Sequence, residues 1–256
     1  MIKQIQEGTV ESETHNGVTT ITFFHPQSNS LPGKILAELA QEIHFAGTHD
    51  ETKVIVLKSA GDKAFCAGAS FDELSQITSA ADGHAFFNGF ANVINAMRKC
   101  SKLIIARIQG KCVGGGVGLA AAADYAIAYE KAEIKLSELA VGIGPFVVGP
   151  AVERKIGMSA FSALAIDATG WRNSDWAKKK GLFSEVHESI QNLDEAVSKL
   201  ASNLSHSSPL AMAELKKVFW AGTSHWDTLL KERAAISGQL ILSHFSREAI
   251  AAFKAK

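Results

Sequence analysis

Apolar residues alternate with polar ones over some short stretches of the chain and fall at helical spacing over others, and the two patterns take turns. "VESETHNGVTTITFF" (residues 10–24) predicts two short strands about an Asn16-Gly17 turn, the strongest short-range hairpin signal. After the loop "HPQSNSLPG", with Pro32 placed as a first helical residue, Ile35, Leu36, Leu39 and Ile43 predict a helix stopped by Gly47. "KVIVLKSA" predicts a buried strand and "GDKAFCAGASFDEL" a loop. Residues 82–99 predict a helix with Phe86, Phe90, Val93, Ile94 and Met97 on one side. "KLIIARIQG" is a second buried strand, and helices alternate with short strands up to about residue 190. This alternation predicts α/β architecture. From "NLDEAVSKLASNL" onward the pattern is helical only, which divides the chain into a body (1–192) and a helical C-terminal region (193–256). Leu229, Leu230, Ile236, Leu240, Ile241 and Phe245 make that tail too apolar to stand exposed, so it is expected to bury against the body or another subunit.

The segment "GKCVGGGVGLAAAADYAIA" (110–128) sets poor helix formers directly before the best one. A dinucleotide fold would require G-x-G-x-x-G, but Leu119 occupies the last glycine slot after Gly114 and Gly116. Two readings remain. The glycines permit close helix-to-strand packing, or they open a helix whose first N–H groups face a developing negative charge without side chains in the way. A second loop of small residues, with Ala69 after Gly68, offers a partner donor for such an oxyanion hole.

Composition narrows the function classes. The 256 residues are 46% hydrophobic and 20% charged, with a formal net charge of zero. A sizeable core is expected, and no electrostatic footprint for nucleic acid. Three cysteines without CxxC spacing argue against a disulfide framework or zinc site, and His44 and His49, five apart, do not have metal-ligand spacing. With no long apolar run and no apolar signal core, no membrane span is expected, and a cytoplasmic location is.

"KAFCAGASFDEL", "IQGKCVGGGVGLAAAADYAIA" and "SELAVGIGP", in this order and spacing, resemble the crotonase superfamily, the enoyl-CoA hydratase/isomerase family. The likeness covers nearly the whole chain. It implies a crotonase-like spiral of ββα units, a helical C-terminal oligomerisation region, and a homotrimer or dimer of trimers. It also implies an acyl-CoA thioester as substrate, so coenzyme A arrives with the substrate and no separate cofactor is expected. By the same resemblance the backbone N–H groups of Ala69 and Gly115 hold the thioester oxygen, and Glu138 is the acid/base. Ala67, Gly68 and Gly114 lie against the CoA thioester, while Phe253 and Lys256 match a Phe–Lys pair that touches CoA from a neighbouring subunit.

The chain departs from the hydratase pattern at one point: the first of two glutamates is replaced by Gly118. Moving a double bond from C3 to C2 needs only one base, so the sequence favours isomerisation, with hydration of a 2-enoyl-CoA as the alternative. Leu136, Leu139, Val141 and Phe146 are expected to desolvate Glu138. Phe146 also stands where other members carry an extra acid or a nucleophilic aspartate. Asp72, Glu73 and Asp124 are nearby acids that could in principle stand in for the missing one, although Asp124 fits better as the end of the Ala-rich helix and Asp72 and Glu73 as a solvated helix start. A non-catalytic acyl-CoA-binding or RNA-binding protein and a dinucleotide oxidoreductase are the readings from other classes.

Overall fold

The computed structural model describes residues 8–254. Strands β1 (Thr9–His15) and β2 (Val18–Phe24) form the expected hairpin, with Asn16 at φ 50° and Gly17 at φ 82°, followed by helix α1 (Gly33–Thr48). The next turn is β3 (Val54–Ser59), β4 (Ala64–Cys66), α2 (Phe71–Leu74) and α3 (Ala80–Lys99). Then come β5 (Leu103–Ile108), β6 (Lys111–Val113) and α4 (Gly115–Ala122). A further turn consists of β7 (Tyr125–Tyr129), β8 (Glu133–Lys135), a 3-10 turn (Glu138–Val141) and α5 (Gly149–Ile166). The body closes with β9 (Arg172–Asn173), α6 (Ser174–Lys180) and β10 (Glu185–His187). Helices α7 (Ile190–Ser205), α8 (Pro209–Phe219), α9 (Trp226–Leu240) and α10 (His244–Lys254) complete the chain.

Beyond the hairpin, each turn of this ββα spiral gives its longer strand to one sheet, ordered β1-β2-β3-β5-β7-β10, and its shorter strand to another, ordered β4-β6-β8-β9. After the hairpin, the large sheet is parallel throughout. Both of its faces are covered, which explains the unbroken apolar run in β3. Ile55 and Leu57 face the main core with α1 and α3, while Val54 and Val56 face Leu193 and Val197 of α7. Helix α4 is apolar all round, and all eight of its residues are buried, as that pattern requires.

The structure departs from the sequence expectations at element ends. Pro32, at ψ 162°, is the N-cap rather than the first helical residue, and α1 runs through Gly47 to Thr48. The predicted loop 61–74 contains β4 and α2, and β6 sits within the segment leading to the glycines; three- and four-residue elements are too short to show a period.

The C-terminal helices fold back on the body. Leu230 and Ile241 join the main core, and α9 lies along α3, whereas Ile236, Leu240 and Phe245 stay exposed. Helix α8 is tied down by a buried ion pair, Lys216 Nζ to Asp124 Oδ2 at 2.7 Å. Among the described residues, no helix is long and apolar enough to cross a membrane.

Candidate active site

The site forms where the small sheet ends. β4 and β6 are parallel neighbours, with Cys66 opposite Cys112, so the loops that follow them emerge side by side. Gly68 turns the first loop at φ 85°, and a Cβ there would lie 2.8 Å from the Val113 carbonyl oxygen and 3.5 Å from the Gly115 nitrogen. The "HPQSNSL" loop braces this arrangement. Asn29 donates to the carbonyls of Ala60 and Ala64, Ala67 N–H donates to Ser28, and Leu31 N–H donates to Gly68.

Of the backbone donors at Ala67, Gly68, Ala69, Gly114 and Gly115, three are occupied. Ala67 N–H is bonded to Ser28, the Gly68 N–H points at Cys66 Sγ, and the Gly114 N–H is taken by the Lys135 carbonyl at 2.9 Å. The N–H groups of Ala69 and of Gly115, the first residue of α4, have no partner among the described residues. Gly115 admits no side chain, because a Cβ would run into the Phe90 ring. The two loops therefore present two adjacent unpaired donors, one of them backed by the positive end of a helix dipole.

Glu138 begins the 3-10 turn after β8, and its Oε1 would lie 2.8 Å from a Cβ placed on Gly114. The residue as a whole is partly exposed, but Oε2 is shut off from solvent and has no hydrogen-bond partner. This burial pushes the carboxyl up to about 7, opposed in part by the residue's own backbone N–H. A neutral carboxyl and its carboxylate are then both populated near pH 7, the condition for moving a proton in both directions.

Ala67, Gly68, Ala69, Gly114, Gly115 and Glu138 all line one pocket with a free interior of ≈ 50 Å³. The rest of its wall is almost wholly apolar, including Phe71, Phe87, Phe90, Ile143 and Val148. Val141 and Phe146 line it as expected. Leu136 and Leu139 do not: Leu136 packs in the main core and Leu139 is 51% exposed, so the desolvation comes instead from Ile143, Val148 and the phenylalanines. Phe86 belongs to the core, edge-on to Phe87 and Phe90.

No second carboxylate reaches the pocket among the described residues. A Cβ on Gly118 would lie 2.5 Å from Val148 Cγ1, so Val148, at the start of α5, occupies the space of the missing glutamate. Asp72 pairs with Lys254 at 2.8 Å and is held below the usual carboxylate range by hydrogen bonds from Lys254 and Gln27. Glu73 accepts from the Gly33 N–H at the start of α1. Asp124 accepts from the Ile104 N–H, Lys216 and Trp220. Val148, Ser137 and Ser237 are pocket residues that the sequence motifs do not single out. Ser137 is signalled only by its place beside Glu138, whereas Val148 and Ser237 come from distant elements without a local motif.

Phe253 stacks on Phe71 of its own chain, at 4.0 Å and 21°. Lys256 lies outside the described residues.

Residues 13–256 match the family model described as enoyl-CoA hydratase/isomerase. The chain is 30% identical over 205 residues to the peroxisomal Delta(3,5)-Delta(2,4)-dienoyl-CoA isomerase of Arabidopsis thaliana, covering 74% of this chain and 72% of that one. It is 28% identical over 244 residues to a probable enoyl-CoA hydratase of Bacillus subtilis, covering 93% of each. The crystal structure of an enoyl-CoA hydratase from Bacillus halodurans shares the fold at a TM-score of 0.87 and 22% identity, covering 95% of this chain and 99% of that one.

Proposed function

Because the chain belongs to the enoyl-CoA hydratase/isomerase family, we propose that this acyl-CoA enzyme moves a 3-enoyl-CoA double bond to the 2 position, with Glu138 as its only acid/base. One observation carries the reading: Glu138 is the only titratable side chain among the described residues that line the pocket.

The steps follow from the groups present. The thioester oxygen accepts from the Ala69 and Gly115 N–H groups, which makes the C2 proton more acidic. Glu138 takes that proton, and the electron pair delocalises through the dienolate onto the held oxygen. The same carboxyl then returns a proton to C4 as the double bond settles between C2 and C3. Removing one such oxyanion donor typically costs ~10²–10³ in rate. The loops at Ala67, Gly68 and Gly114 lie against the CoA arm. In an assembly of trimers or paired trimers, Phe253 contacts CoA from a neighbouring subunit.

Hydration of a 2-enoyl-CoA is the second reading, supported by the likeness to the Bacillus subtilis protein named a probable enoyl-CoA hydratase. It requires another group to hold water, and Val148 stands where that group would be. Phe146 offers no extra acid for a dienoyl shift. The test is Glu138→Gln assayed with a 3-enoyl-CoA. Turnover is expected to fall by ~10²–10⁴; a variant that keeps wild-type turnover refutes the assignment.

A further inference from the structure

We propose that the acyl group accepted by this pocket carries a hydroxyl substituent, recognised by Ser137 and Ser237. The inference rests on the acyl-CoA reading of the site but concerns affinity, which is measured apart from the double-bond shift.

Apart from Glu138, these two serines are the only pocket-lining residues among the described ones whose side chains can form hydrogen bonds. They arrive from different elements, Ser137 from the segment entering the 3-10 turn and Ser237 from α9. Ser137 occupies the N-cap of that turn but makes no capping bond, and its hydroxyl has no partner among the described residues. At Ser70, Ser79, Ser189 and Ser208 the same residue type in the same position accepts from its own helix. The Ser137 hydroxyl, without that bond, is left to donate elsewhere. Ser237 is 2% exposed, and its hydroxyl makes only a long bond, 3.4 Å, to the Arg233 carbonyl, so its lone pairs remain unused.

A plain hydrocarbon chain filling this pocket would strip water from the Ser137 hydroxyl and leave the Ser237 lone pairs without a donor. A hydroxyl on the acyl group resolves both deficits, accepting from Ser137 and donating to Ser237. A keto oxygen serves Ser137 alone. Sites built to bond a substrate hydroxyl discriminate strongly against the analogue that lacks it, because their own polar groups are left unpaired.

The experiment is calorimetric titration of the full-length protein with saturated acyl-CoA thioesters. Hexanoyl-CoA is compared with the set of hexanoyl-CoAs hydroxylated at C4, C5 or C6. At least one hydroxylated ligand is expected to bind about tenfold tighter than hexanoyl-CoA. That ratio should fall to about twofold or less in Ser137→Ala and decrease in Ser237→Ala. Equal affinity of the wild-type protein for all four ligands overturns the proposal without any variant being needed. A preference that survives in both variants also overturns it. Failure to isomerise a 3-enoyl-CoA would instead count against the one-base reading, while the affinities decide the hydroxyl proposal independently.

Discussion

Glu138 carries two opposite pH dependences, because its carboxyl titrates at about 7 while a free glutamate has its ordinary value of 4.5. The proposed mechanism needs the carboxylate, so kcat/KM for a 3-enoyl-CoA is expected to rise with pH and level off above about 7. A profile flat from about pH 5 to 8 would contradict this. Stability runs the other way. The folded state holds the proton more tightly than the unfolded chain, so this contribution is complete below about 4.5 and is lost as pH rises through about 7. Glu138→Gln removes the loss and is expected to raise unfolding free energy at about pH 8 by about 2–3 kcal/mol relative to its effect at about pH 5. Denaturant melts at the two pH values check it; an equal difference at both contradicts it. Single residues were legible in the sequence where a motif fixes them. Glu138, Ala69 and Gly115 come together in the pocket as expected. The packing around Glu138 was less legible: Leu139, its neighbour in sequence, faces solvent, while Ile143 and Val148 form the wall.

Among the elements, the contact between α4 and the start of α5 bears most directly on the one-carboxyl proposal. Val148 fills the space beside Gly118, so Gly118→Ala is expected to destabilise the protein by ~1–3 kcal/mol through overpacking. Adding Val148→Ala in the same chain should recover most of that loss, as thermal melts would detect; simple additivity of the two single effects would refute the contact. Nothing in "GGGVGLAAAA" announces a valine about thirty residues further on, because the pairing is made by the spiral and not by local periodicity. Long elements were legible for the opposite reason. α3 keeps its apolar side over 20 residues, whereas β4 and β6 have three residues each and look like loop, yet they aim the two unpaired backbone donors.

For the whole molecule, the C-terminal helices act as part of the body. The apolar tail predicts burial, and Leu230 and Ile241 find it on their own chain, while Phe253 reaches Phe71 at the pocket wall. Sequence alone left open whether that cover comes from the same chain, since amphipathicity marks a face but not its partner. The Lys216–Asp124 pair fixes α8, with side chains only 3% and 6% exposed. Lys216→Ala should therefore cost ~3–5 kcal/mol by stranding a buried carboxylate, measured by denaturant unfolding, and a loss below about 1 kcal/mol would contradict that role. The proposed reaction is one performed by a single carboxyl. Ultraviolet absorbance of the conjugated thioester decides it, with a 3-enoyl-CoA and a 2-enoyl-CoA supplied separately to the wild-type enzyme. Rising absorbance is expected with the first, as conjugation forms. Falling absorbance with the second, and no change with the first, would show instead that the enzyme adds water and that one carboxyl does not suffice.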